Sequence, residues 1–258
     1  MDEHIINSTT VGIVSRGIVV VVPPGYGDPA NAARCYPVMY MQDGNNCLDV
    51  DPFGHGGWQI DTVSGDLAER GAIEPTIFVL ISNSPSRREE YVPGAGTAPG
   101  ATADGYLDFV ARDIVPFVET HYRAFPEAAN RGIGGSSFGG LISLCAAWTR
   151  PNLFGFVLAM SPGHTYDFGA MVRRTLVKPS LRIYIDSGTV GQMGRDDGMK
   201  LTVELCDLLI AKGFVVGSDL QHYIGQDHSH NEEYWRRRLP VALPFLLPPA
   251  SSVAKGLT

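Results

Sequence analysis

Cysteine is scarce and scattered. Its four positions in 258 residues, Cys35, Cys47, Cys145 and Cys206, form no Cys-x-x-Cys pair, which removes the spacing of a zinc knuckle or a dithiol redox site. Basic charge is also short. Twenty Lys and Arg against 27 Asp and Glu leave a net charge of −7 and a pI near 5.4, the reverse of the basic face that nucleic acid or an anionic membrane selects. Long apolar runs are missing: no stretch reaches the ~18 residues that would span a bilayer. The opening Met1-Asp2-Glu3-His4 is acidic and lacks the basic region and apolar run of a secretory leader. These absences lead us to expect a cytoplasmic protein with reduced thiols, no metal, and no membrane or nucleic-acid partner. The densest basic run, Trp235-Arg236-Arg237-Arg238, reads as a solvated helix face.

What is present is enough for a core. The chain is 44% hydrophobic and 18% charged with mean hydropathy near zero, so it buries apolar surface readily and is not a disordered polymer. Its length suits a single α/β domain over 1–258, with a frayed tail over 248–258. Apolar runs suited to buried strands cover Ile18–Val22, Val38–Met41, Ile77–Ile81, Arg131–Gly134, Phe156–Met160, Leu181–Ile185 and His222–Ile224. Helical spacing falls between them: Leu107, Val110, Ile114 and Val118 mark a helix from Tyr106 to Tyr122 that Pro116 kinks or divides, and Gly139–Thr149 and Leu201–Lys212 follow. A last helix closes the chain. The alternation predicts a mostly parallel sheet covered on both faces. The segment Asn83–Gly105 is a long Gly/Pro-rich loop of the kind that borders active sites.

The sharpest local signal is Gly135-Ser136-Ser137-Phe138-Gly139, a Gly-x-Ser-x-Gly run between a predicted strand and a predicted helix. Such a strand-turn-helix elbow forces its central residue into a strained conformation, and glycines on either side let strand and helix approach. Ser137 would project from the top of the sheet as a nucleophile. A serine hydroxyl needs a base to remove its proton, and in this fold the base comes late in the chain. His222, His228 and His230 stand in the final strand-loop region, whereas His4, His55, His121 and His164 precede the nucleophile or lie close to it in sequence; His222 falls within a strand and reads as packing, leaving His228 and His230. The base needs an orienting carboxylate from the loop after Leu181–Ile185, where Asp186, Asp196 and Asp197 stand. Asp186 reads as a turn cap and Asp197, just before the next helix, as the acid, with Asp196 its close rival. The oxyanion formed in acyl transfer needs two N–H donors. Phe138 supplies one amide, and the loop Met41-Gln42-Asp43-Gly44-Asn45-Asn46 supplies the other from Gly44 or Asn45.

Taken together, Val22-Pro23-Pro24-Gly25-Tyr26, Tyr36 to Gly44, Arg87-Arg88-Glu89-Glu90-Tyr91, the Gly135 to Gly140 run, Phe154-Gly155 and Ser161-Pro162 resemble the esterase D-like branch of the α/β hydrolases. That branch includes siderophore esterases, feruloyl esterases and S-formylglutathione hydrolases. The resemblance implies the α/β-hydrolase fold, and it places the base at His230, because Asp227-His228-Ser229-His230-Asn231-Glu232 is similar to the family's Gly-x-Gly-His-Asn-Glu run. The sequence departs from the pattern at Asp227 and Ser229 and in its longer loop, Thr189 to Asp197, ahead of the acid.

The expectation is a serine carboxylesterase acting on a small-molecule ester of small to medium acyl length, with Ser137, His230 and Asp197 as triad, Phe138 and Asn45 as oxyanion donors, and no cofactor. A siderophore or feruloyl esterase and an acyltransferase would use the same triad. A noncatalytic binding protein on this fold is the reading from another class, and it would be expected to lack a triad position.

Overall fold

The computed structural model describes residues 1–49, 54–95, 102–163, 165–191 and 195–249. One eight-stranded sheet runs through it in the order β1-β2-β4-β3-β5-β6-β7-β8. Its strands are β1 (Asp2–Ile6), β2 (Arg16–Val21), β3 (Val38–Gln42), β4 (Ile77–Ile81), β5 (Arg131–Ser136), β6 (Phe156–Met160), β7 (Arg182–Gly188) and β8 (Leu220–Gly225). From β4 to β8 all neighbours are parallel, while β2 pairs antiparallel with both β1 and β4. This is the α/β-hydrolase fold.

Strands β3, β4 and β6 are buried along their whole length, which is why they read as nearly unbroken apolar runs. In β3, Val38 and Tyr40 enter one core, whereas Met39 and Met41 enter the other. Connection handedness explains which helix covers which face. The chain steps one way from β3 to β4 and the opposite way from β4 to β8, so right-handed crossovers put their helices on opposite faces. Helix α1 (Ile60–Glu69) covers one face and is joined there by α8 (Glu232–Leu246). Helices α3 (Ala103–Phe109), α4 (Val115–His121), α5 (Phe138–Thr149), α6 (Thr165–Arg174) and α7 (Met199–Ala211) cover the other.

Several expectations need correction. The helix expected over Tyr106–Tyr122 is one continuous helical run carrying a π-helical turn at Val110–Ile114, which ends two residues before Pro116. A proline cannot donate its amide, and the wider turn absorbs that loss. The segment Asn83–Gly105 is not structureless: it contains α2 (Arg87–Tyr91) and the start of α3, although its residues 96–101 lie outside the described ones. Strand β7 continues to Gly188, so Asp186 lies inside it, paired in register with Met160 and Tyr223. Arg238 is no solvated residue. It is fully buried, because α8 turns Trp235, Arg238, Leu239 and Ala242 toward the sheet. Only Arg237 of that run behaves as expected, pairing with Glu233 at 2.5 Å on the exposed side. Of the tail expected to fray, residues 250–258 lie outside the described ones. All four cysteines are free.

Candidate active site

The Gly-x-Ser-x-Gly run forms the turn from β5 into α5. Ser137 stands between them at φ 55°, ψ −128°, a region that residues with side chains avoid. Its amide is tied to the Met160 carbonyl at 3.0 Å, which anchors the elbow to β6. The flanking glycines are required by contact. A Cβ on Gly135 would come within 2.9 Å of the Gly139 carbonyl carbon, and one on Gly139 within 2.9 Å of Asp43 Oδ2.

His230 lies on the turn between β8 and α8, and Asn231 caps that helix by accepting from the Tyr234 amide at 3.2 Å. The His230 ring meets the Trp235 ring edge-on at 5.0 Å, and its Nδ1 is 2.5 Å from Oδ1 of Asp197. Asp197 sits two residues before α7, next to Gly198 at φ 78°. Its other oxygen accepts from the Ser161 hydroxyl at 2.5 Å and the Gly188 amide at 3.0 Å. The carboxylate that reaches His230 is thus that of Asp197, which is buried, and not that of its half-buried neighbour Asp196.

His228, the rival base, is placed elsewhere. Its ring packs against Tyr234 at a tilt, with centroids 4.9 Å apart, and desolvation, aided by Arg238 and Arg237, holds its pKa below the ordinary histidine value. His222 lies within β8 with its Nε2 3.1 Å from the Thr202 hydroxyl.

Ser137 and His230 open into one cleft of about 570 Å³. Twelve described residues line it, Asn45 among them, and Trp235 alone is apolar. Asn45 stands in the 3-10 turn Gly44–Asn46 that follows β3, and Phe138 opens α5. The turn is held by Asp43, a buried residue at φ 56°. Arg87 grips Asp43 through both carboxylate oxygens at 2.6 and 2.7 Å, and Asn83 adds a third bond at 2.6 Å. The Arg87 guanidinium also lies over the Phe138 ring at 5.4 Å. The loop suspected of bordering the site thus reaches it through Asn83 and Arg87.

Reading the sequence does not disclose the Asp43–Arg87 pair or the roles of Ser161 and Arg238. The Asp43–Arg87 pair joins positions 44 residues apart, a relation that spacing cannot reveal. Ser161 was noticed only as part of a Ser-Pro pair, and Arg238 was assigned to solvent. Asp43, Ser161 and Arg238 share one signal, burial of a polar side chain, which only the fold discloses.

Such an arrangement can activate a hydroxyl. A histidine with one nitrogen fixed by a buried carboxylate lines the same cleft as a serine, the pairing that activates a hydroxyl.

Comparison with known proteins shows the family and the fold. Residues 14–246 match the family described as "Putative esterase". YbbA of Bacillus subtilis (strain 168) is 25% identical over 248 residues, covering 90% of this chain and 92% of that protein. The endo-1,4-beta-xylanase/feruloyl esterase of Xylanibacter ruminicola is 25% identical over 223 residues, which is 85% of this chain but 28% of that larger protein. Among solved structures, the enterobactin esterase FES of Shigella flexneri superposes with a TM-score of 0.72 at 20% identity, covering 95% of this chain and 58% of that one. With 14–246 matched, the chain belongs to the Putative esterase family, α/β hydrolases that cleave esters.

Proposed function

We propose that the chain is a serine carboxylesterase that works through an acyl-enzyme. The observation that carries this reading is the single cleft shared by Ser137, on its strained elbow, and His230, whose Nδ1 is bonded to buried Asp197. Ser137 Oγ attacks the ester carbonyl carbon while His230 Nε2 takes its proton. The amides of Phe138 and Asn45 receive the oxyanion. As the tetrahedral species collapses, the C–O bond to the alcohol breaks and His230 returns the proton to the leaving oxygen. Water, deprotonated by the same imidazole, then releases the acid and restores Ser137. Asp197 keeps the imidazole in the tautomer this relay needs.

Substrate range follows from the lining. A cleft in which Asp43, Asn46, Asn83, Arg87 and Glu232 crowd around the serine offers little for a long aliphatic chain to bury itself against. Short acyl groups, or acyl groups bearing polar substituents, suit it better. The names of two relatives, a feruloyl esterase and an enterobactin esterase, direct attention to hydroxylated aromatic acids as one such group.

A panel of nitrophenyl esters of rising acyl length, run beside feruloyl and catecholate esters, tests the reading. The expected result is at least tenfold higher kcat/KM for acetyl or butyryl than for decanoyl esters, about 1.4 kcal/mol of differential transition-state binding. A chain that hydrolyses no ester and leaves Ser137 unlabelled by a fluorophosphonate would overturn it.

A further inference from the structure

Beneath the His230–Asp197 pair lies a dry polar layer that the acyl-enzyme route does not use. Ser161, Asp186, Trp235 and Arg238 are all buried there, with Asp186 and Arg238 at 0% exposure. Ser161 directly follows β6 and is held at φ 42°, an uncommon conformation for a residue with a side chain. Its amide meets both the carbonyl and the Oδ1 of Asp186 at 3.0 Å.

The hydroxyl of Ser161 has three neighbours. Trp235 Nε1 at 3.2 Å and Arg238 NH2 at 2.9 Å can only donate, so they occupy its two acceptor sites. Asp197 Oδ2, at 2.5 Å, can only accept while ionised. The single hydroxyl proton therefore has one place to go, and it points at Asp197. The Arg238 guanidinium stands between two carboxylates, with Nε 3.3 Å from Asp186 and NH1 3.7 Å from Asp197. An ionised carboxylate this deep is costly unless its charge is met on every side.

We propose that Ser161, with its hydroxyl oriented by Trp235 and Arg238, is the positioning residue for the triad acid. It holds Oδ2 of Asp197 so that Oδ1 faces His230, and it touches no substrate. The inference rests on the assignment of Ser137, His230 and Asp197 above.

Ser161→Gly is the informative variant, since glycine adopts φ 42° without strain and takes away the hydroxyl together with its Cβ. A hydrogen bond to a charged group is at stake, so kcat on a nitrophenyl ester should fall about tenfold to a hundredfold. KM should stay within about twofold. Ser161→Ala provides the same readout should the glycine variant fold poorly. Both are then repeated in an Asp197→Ala background, where a residue acting only through Asp197 should change kcat less than about threefold. The proposal is overturned if either single variant keeps kcat within threefold of the parent, or if the full loss persists without Asp197. A parent that shows no Ser137-dependent hydrolysis overturns this inference and the proposed function together. A parent that hydrolyses esters through Ser137, with a silent Ser161→Gly, overturns this one alone.

Discussion

Asp197 and His230 share a 2.5 Å contact yet live in different media: the carboxylate side chain is 1% exposed and the imidazole 40%. The acid is locked in a dry pocket with both oxygens engaged, while the ring it holds remains open to the cleft. Orientation comes from one partner and access from the other.

Asparagine at 197 should therefore be far more harmful than its small change in shape suggests. An amide there no longer fixes the productive tautomer of the ring, and kcat is expected to drop on the order of 10²–10⁴. Asp196→Asn should leave kcat within about twofold. Steady-state rates on one nitrophenyl ester decide between the two, and the reverse ranking would move the acid to Asp196.

The two histidines of the late loop should separate cleanly. His230→Ala removes the cleft imidazole that is bonded to Asp197, so acylation measured as a nitrophenol burst should be lost. His228→Ala removes a ring packed on Tyr234 and should change the burst less than a few-fold, at a modest cost in thermal stability.

Ser137→Ala should abolish turnover by several orders of magnitude without unfolding the chain. Alanine at φ 55° is no more strained than serine, so the melting temperature should move by no more than a few degrees. Residual activity within tenfold of the parent would remove Ser137 from the mechanism.

Asp186 gives the protein a pH signature of its own. Burial, against the opposing pull of Arg238, raises its carboxyl to about 6. Between about 4 and 6 the folded state then keeps a proton that the unfolded chain has released, so this residue's contribution to stability falls as pH rises through that window and is level above it. The drop is about 3 kcal/mol. Asp186→Asn, which does not titrate, should gain on the parent in chemical denaturation as the buffer is taken from pH 4 to pH 7. A constant difference between the two proteins across that range would refute the assignment.

Much of the frame was legible because it rests on local chemistry. Ile77–Ile81 and Phe156–Met160 have the residues expected of them, since a strand buried on both faces must be apolar throughout. The elbow announced itself through its glycines. Edge strand β1 escaped notice because only Ile6 of Asp2–Ile6 is buried, which leaves no pattern to read. Arg238 was misread for a related reason: three consecutive arginines look alike in sequence, and only the rotation of α8 against the sheet sends one inward to two carboxylates and leaves another in water. The Asp43–Arg87 grip depends on a tertiary approach that no window of residues contains.

Asp43, Ser137 and Ser161 follow or flank the carboxyl ends of β3, β5 and β6, three strands that lie side by side, and all three hold positive φ. Each such residue sets aside roughly 1–3 kcal/mol, much of which glycine would recover. Anyone breeding this chain for heat resistance alone would find that edge an inviting place to improve, and glycine at any of the three would surrender the side chain for which the backbone was bent. Durability and turnover compete here over the same few atoms, so a hardier descendant should be sought by changing the opposite end of the sheet.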